Sequence, residues 1–102
     1  MPETRTVPYL TLEEAHEKGY QIVRILPGGC CCAVQRMIFT CALMVGLTDL
    51  GWETHFCFHT PEEAVLSLIQ WDGAGDPPGN WIKQKPEGRM NPNYKPPRPD
   101  IE

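Results

Sequence analysis

The run "CALMVGL", residues 41–47, carries no polar side chain at either parity. Successive side chains of an extended strand point to opposite faces, so a strand that is apolar on both parities has to be covered on both. This requirement puts residues 41–47 in the middle of a sheet. The next stretch, "WETHFCFH" at 52–59, alternates instead: Trp52, Thr54, Phe56 and Phe58 share one face, and Glu53, His55, Cys57 and His59 share the other. The apolar parity reads as the core side, the second as a half-polar outer face.

Two helices bracket this strand region. Thr11-Leu12-Glu13-Glu14 fits a capping box, with Leu12 and Ala15 expected inward and Gly19 as the stop. Thr60-Pro61-Glu62-Glu63 repeats the device with proline at the first helical position, and Ala64, Val65, Leu68, Ile69 and Trp71 follow at helical spacing. Between them, Pro27-Gly28-Gly29 and Thr48-Asp49-Leu50-Gly51 read as turns. Residues 30–47 run well past the ~5–6 residues of a usual strand, with no turn signal except around Gln35-Arg36-Met37. One long bent strand pairing with 20–26 and then with 52–59 accounts for them. The expected fold is α+β in the order α-β-β-β-α: a three-stranded antiparallel meander with both helices packed on one face and an irregular, Pro-rich C-terminal tail. Residues 1–10 form an N-terminal arm, 11–75 the body and 76–102 the basic tail. Trp81 and Ile82, large apolar residues in solvated surroundings, predict that the tail folds back in part and plugs a groove.

A body this small has a thin core, so a staple, a metal or a partner surface has to be weighed. The chain has five cysteines, an odd count with three adjacent, and neighbours on a strand point apart, so reduced thiols are expected. With no signal-like segment and no run near the ~20 apolar residues of a membrane span, the expected location is the cytoplasm. The net charge of −4 argues against general nucleic-acid affinity. It hides a split, because residues 81–99 hold Lys83, Lys85, Arg89, Lys95 and Arg98 against the single acid Glu87.

His55, Cys57 and His59 alternate on one strand face and are candidate zinc ligands, with Cys41 or Cys31 as a possible fourth. No paired Cys-x2-Cys knuckle or helical His-Glu-x-x-His accompanies them. Cys57 as a nucleophile lacks a histidine aimed at it and an acid to orient that base. Glu13 with Glu14 and Glu62 with Glu63 occupy first helical turns and read as caps. Gly28-Gly29 and Gly73-Ala74-Gly75 lack the lysine and hydroxyl of a phosphate loop. The reading is therefore non-enzymatic, without a cofactor. Cys30, Cys31 and Cys32, which open the long strand, read as compact packing residues, the alternative being a thiol sensor with no basic residue nearby in sequence to lower its pKa. In the tail, Trp81, Lys83, Lys85, Arg89, Tyr94, Lys95 and Arg98 interleave aromatic and basic groups, the combination that binds single-stranded nucleic acid. Pro96-Pro97-Arg98-Pro99 could also lie as a polyproline segment in an aromatic groove.

The pattern "WDGAGDPPGNWIKQK", followed by "RMNPNY", resembles small bacterial and prophage proteins of no assigned activity, so it carries over no functional residue. The resemblance implies a mobile-element context, in which small proteins without catalytic motifs act as inhibitors of host defence, anti-CRISPR proteins among them, or as regulators. The element order also resembles the double-stranded RNA-binding domain, but Pro61-Glu62-Glu63 puts acid where that family needs lysines. The expectation is a protein-binding inhibitor or regulator contacting its partner through Glu53, His55, His59, Trp81, Lys83, Lys85 and Tyr94. A homodimer, nucleic-acid binding through residues 81–99 and zinc binding are the alternatives.

Overall fold

The structure, a computed structural model, describes residues 8–96. Its elements are α1 (Leu12–Glu17), β1 (Ile22–Ile25), β2 (Cys31–Arg36), β3 (Cys41–Val45), β4 (Thr54–Phe58), α2 (Pro61–Gln70), β5 (Lys83–Lys85) and β6 (Arg89–Met90). The class is α+β, and the six strands form one antiparallel sheet in sequence order. This is a longer meander than the three strands expected. Residues 30–47 are two strands, not one bent one: Arg36 pairs with Cys41, and Met37 N–H donates to Thr40 O at 2.7 Å to close a tight loop. The tail adds β5 and β6, so it is not irregular throughout.

The helices lie on opposite faces of the sheet, correcting the one-face arrangement. Ala15 of α1 packs with Leu10, Cys31, Ala33, Ala42, Met44 and Leu47. Ala64 and Leu68 of α2 pack with Cys32, Val34, Cys41, Leu43, Phe56 and Phe58. The alternating members of β2 and β3 thus feed two cores, which is what a run apolar on both parities demands. Leu10 also donates its N–H to Leu47 O, so the end of the expected arm belongs to the body. Residues 1–7 of that arm lie outside the described residues.

Both helix starts follow from their caps. Thr11 Oγ1 accepts from Glu14 N–H while Glu14 Oε1 accepts from Thr11 N–H, and Thr60 Oγ1 accepts from Glu63 N–H. On α1 only Ala15 is buried, and Leu12, expected inward, is exposed. On α2, Ile69 faces solvent beside Leu66. The last carbonyls of α2 are met from another element: Arg24 Nη1 on β1 donates to Leu68 O and Trp71 O, both at 2.6 Å.

The tail docks through Trp81, which is 2% exposed and stands edge-on to Phe56 with ring centroids 4.9 Å apart. Trp81 thus joins the α2-side core. Thr54 Oγ1 donates to Lys85 O, and Gln84 Nε2 donates to Thr54 Oγ1, stitching β5 to β4. Asn80 and Lys95 exchange two hydrogen bonds of 2.8 Å, holding the ends of the folded-back segment together.

Candidate functional site

The outer parity of β4 gives the sheet a partly covered face. His55 and Cys57 sit opposite Met44 and Ala42 in register, on the side of the sheet that carries α1. Along the other edge of β4 they pair with Lys85 and Lys83 of β5, on the same face. The β2–β3 loop rises beside these strands. Together Met37, Ile38, Phe39, Thr40, His55, Cys57, Ile82, Lys83 and Lys85 line a groove of about 580 Å³. Its most exposed wall is apolar: Ile38 and Phe39 are 89% and 90% exposed. The two lysines also line it, and among the described residues no carboxylate does. The groove can therefore hold an apolar side chain next to a negative charge.

His55 is set up as a neutral imidazole. Trp52 Nε1–H donates to His55 Nδ1 at 3.1 Å, which needs an unprotonated Nδ1. Burial, and then the neighbouring Lys85 ammonium, also hold its pKa below the ordinary 6.5. This contact places Trp52 off the core parity assigned to it, since β4 begins only at Thr54 and Trp52 is free to turn its ring over. In the unfolded chain His55 takes up a proton near 6.5, whereas the folded chain resists until lower pH. Over that window the unfolded state binds more protons, so stability rises with pH and is lost as pH falls through it. His55→Gln, whose amide oxygen can still accept from Trp52, is expected to remove this part of the slope. Urea midpoints at pH 7.5 and 5 should fall further for the wild type than for the variant; equal losses would contradict it.

Of the residues expected to contact a partner, His55, Lys83 and Lys85 converge on the groove. Glu53 lies elsewhere, in the β3–β4 connection against Gly46, accepting from Tyr9 Oη at 3.3 Å. His59 and Tyr94 bond to each other through Nε2 and Oη, with ring centroids 5.7 Å apart, and fasten the tail to the end of β4. Trp81 is interior and offers no surface to a partner. Sequence reasoning missed Met37, Ile38, Phe39 and Thr40, and it read Ile82 with Trp81 as part of the plug. The available signal was the length of the 30–47 run and its first polar residues, Gln35 and Arg36.

The alternating donors of β4 do not gather. His55 and His59 are four residues apart on an extended strand, about 13 Å, and each has a ring nitrogen engaged by Trp52 or Tyr94. Among the described residues no group of three or more His, Cys, Asp or Glu side chains is arranged to hold a metal. Of the two rings in the nucleic-acid reading, Trp81 is buried and Tyr94 is bonded to His59. That reading loses a free cation too, because Arg89 pairs with Asp76 at 2.5 Å and covers the Trp81 ring at 5.5 Å. Arg98, and with it most of the Pro96-Pro97-Arg98-Pro99 segment, lies outside the described residues. No helix among the described residues is long and apolar enough to cross a membrane.

The chain matches no family model, no curated protein and no solved structure. The geometry of the groove is thus what a functional reading has to work from.

Proposed function

We propose that the protein is a non-enzymatic interaction module that binds a protein partner through the β2–β3 loop and the β4–β5 groove. The partner segment presents an apolar anchor flanked by acidic residues. The observation that carries this reading is the pairing of two nearly fully exposed large apolar side chains, Ile38 and Phe39, with a groove whose charged lining is wholly cationic. A folded chain gains nothing by holding these two in water, whereas an interface needs a desolvated apolar centre with a charged rim. β4 and β5 are hydrogen-bonded to each other, so recognition here is by side chains entering the groove and not by strand addition. The narrower reading, a phage-type inhibitor acting on a host defence complex in the bacterial cytoplasm, rests on the sequence resemblance alone.

The test is capture from a bacterial lysate on immobilised wild type beside an Ile38→Asp/Phe39→Asp variant and a Lys83→Glu/Lys85→Glu variant. Both pairs sit on the surface or the rim, so matching thermal melts establish that the folds are intact. A protein held by the wild type should be lost by more than tenfold in the first variant. In the second it should be weakened, with its salt dependence reduced. Equal capture by all three would refute the proposal. Loss of dimer in light scattering of the first variant would instead assign the surface to a second copy of the chain.

A further inference from the structure

The two ends of the sheet are finished differently. β6 is two residues long and runs on into Pro92, so it offers another strand little to pair with. β1, Ile22-Val23-Arg24-Ile25, has none of the usual guards of an open edge: no proline, no lysine and no bulge in its register with β2. Its one charge does not guard it either, because the Arg24 guanidinium is turned inward onto Leu68 O and Trp71 O of α2. Leu26 N–H donates to Cys30 O at 2.9 Å, which fixes the hydrogen-bonding parity: Ile22 and Arg24 turn their backbone groups to β2, and Val23 and Ile25 turn theirs outward. No strand among the described residues meets that outer row.

An apolar surface continues from this edge onto α2. Ile22 pairs with Val34, on the α2 side of the sheet, and is 41% exposed. It shares a hollow with Val34 and Pro61, and Pro61 lines the next hollow together with Val65, Leu66 and Ile69. Leu66 and Ile69 are 54% and 61% exposed, on the flank of α2 turned away from Ala64 and Leu68, which pack on the sheet. An open strand edge and an uncovered helix flank therefore adjoin.

We infer that β1 and the Val65, Leu66 and Ile69 flank of α2 form an interface with a second copy of this chain, in which the two β1 strands pair antiparallel about a two-fold axis and join the two sheets into one. A stable interface covers about 800 Å² on each partner, more than a strand edge this short supplies, so the edge and the flank have to be covered together. An extended peptide added to β1 would leave the flank in water. A second copy brings a strand and a flank at the same offset, and the two-fold sets each against its own equivalent. Charge selects the register. Centring the pair on Arg24 puts two arginines directly opposite each other, which is unfavourable. Centring it on Val23 sets Ile22 across from Arg24 of the second copy, whose methylene stem can cover it while the guanidinium keeps its carbonyls. Val23 then exchanges hydrogen bonds with its own equivalent, and Ile25 with Gln21 of the second copy. β4 and β5 lie toward the other end of the sheet, so both grooves stay open in the dimer.

The test is light scattering of the full chain across a dilution series, joined to hydrogen exchange. At the concentrated end the wild type should show twice the mass of one chain. Exchange at the Val23 and Ile25 amides should slow as concentration rises, while the Leu26 amide, bonded within its own hairpin, should not change. Leu66→Glu/Ile69→Glu should weaken dimerisation by at least about a hundredfold, since two apolar side chains on each copy lose their cover. Val23→Pro removes an outward N–H without breaking a bond to β2 and should also yield monomer. Circular dichroism spectra matching the wild type establish that both variants are folded. Ile38→Asp/Phe39→Asp should stay dimeric, which separates this interface from the groove; a dimer lost there and kept in the other two variants would place the second copy on the β2–β3 loop instead. A wild type that is monomeric at every concentration, or a dimer whose Val23 and Ile25 amides exchange as fast as in the monomer, overturns the inference, and neither result depends on a variant folding.

Discussion

Trp81→Ala is expected to lower the free energy of unfolding by about 3–5 kcal/mol, the range for removing a fully buried large aromatic side chain. Against the 5–15 kcal/mol typical of a small domain, that is a large share of the total. The ring lies between Phe56 and the Arg89 guanidinium, and the backbone around it is tied twice: Asn91 Nδ2 donates to Trp81 O, and Ile82 N–H donates to Cys57 O. Without the ring the α2-side core is left with a cavity, and β5 is held by its short strand pairing and the Thr54 hydrogen bonds. Ile82, Lys83 and Lys85 line the groove, so partner capture should fall together with stability even where the chain stays folded. Trp81→Phe should recover part of both. Urea denaturation followed by circular dichroism checks the first effect. A loss under about 1 kcal/mol would mean that the tail is anchored by its polar contacts instead.

The parts of this architecture legible in the sequence are those governed by local rules. Both capping threonines, the glycine-rich turn at 27–29 and the turn at 48–51 act over a few residues, and each is where the pattern puts it. The two-sided run at 41–47 also states its own requirement, cover on both faces. An arrangement with both helices on one face leaves that requirement unmet, and placing α1 and α2 on opposite faces resolves the conflict. What the pattern could not supply was the break at 37–40. Met37-Ile38-Phe39-Thr40 has no glycine, proline, asparagine or aspartate to mark a turn, and its β-branched and aromatic residues favour strand. The turn is imposed from outside by the pairing of Arg36 with Cys41.

The same gap hid most of the candidate site. Alternation at 52–59 correctly puts His55 and Cys57 on the face away from Phe56 and Phe58, and the basic stretch picks out Lys83 and Lys85. That these two pairs are cross-strand neighbours follows only from β5 joining the sheet, a long-range pairing that Lys83-Gln84-Lys85 does not announce. Trp81 shows the converse. Its isolation among polar residues marks it as important, and burial makes it an anchor, not a contact. Ile38 and Phe39 were read as strand and are the most exposed apolar pair on the groove's rim.

Arg24→Ala is expected to destabilise the fold by about 2–3 kcal/mol, through the loss of charge-assisted hydrogen bonds to carbonyls that then go unmet. The last turn of α2 has no basic residue of its own, and its terminal carbonyls form the negative end of the helix dipole. Arg24 pairs in register with Cys32, on the α2 side of the sheet, and one guanidinium nitrogen reaches both Leu68 O and Trp71 O. It therefore fastens α2 to β1, at the opposite end of the sheet from the β5 contact made by Trp81. Arg24→Lys should restore part of the loss, because an ammonium can donate to a carbonyl but sits on a flexible stem that is less pre-organised to hold both at once. Lys18→Ala, which breaks the exposed ion pair with Asp49, is the control and should change stability by under about 1 kcal/mol. Urea midpoints of the three variants at two salt concentrations make the comparison. If Arg24→Ala behaves like the control, the carbonyls are satisfied by water and the sheet does not hold that end of the helix.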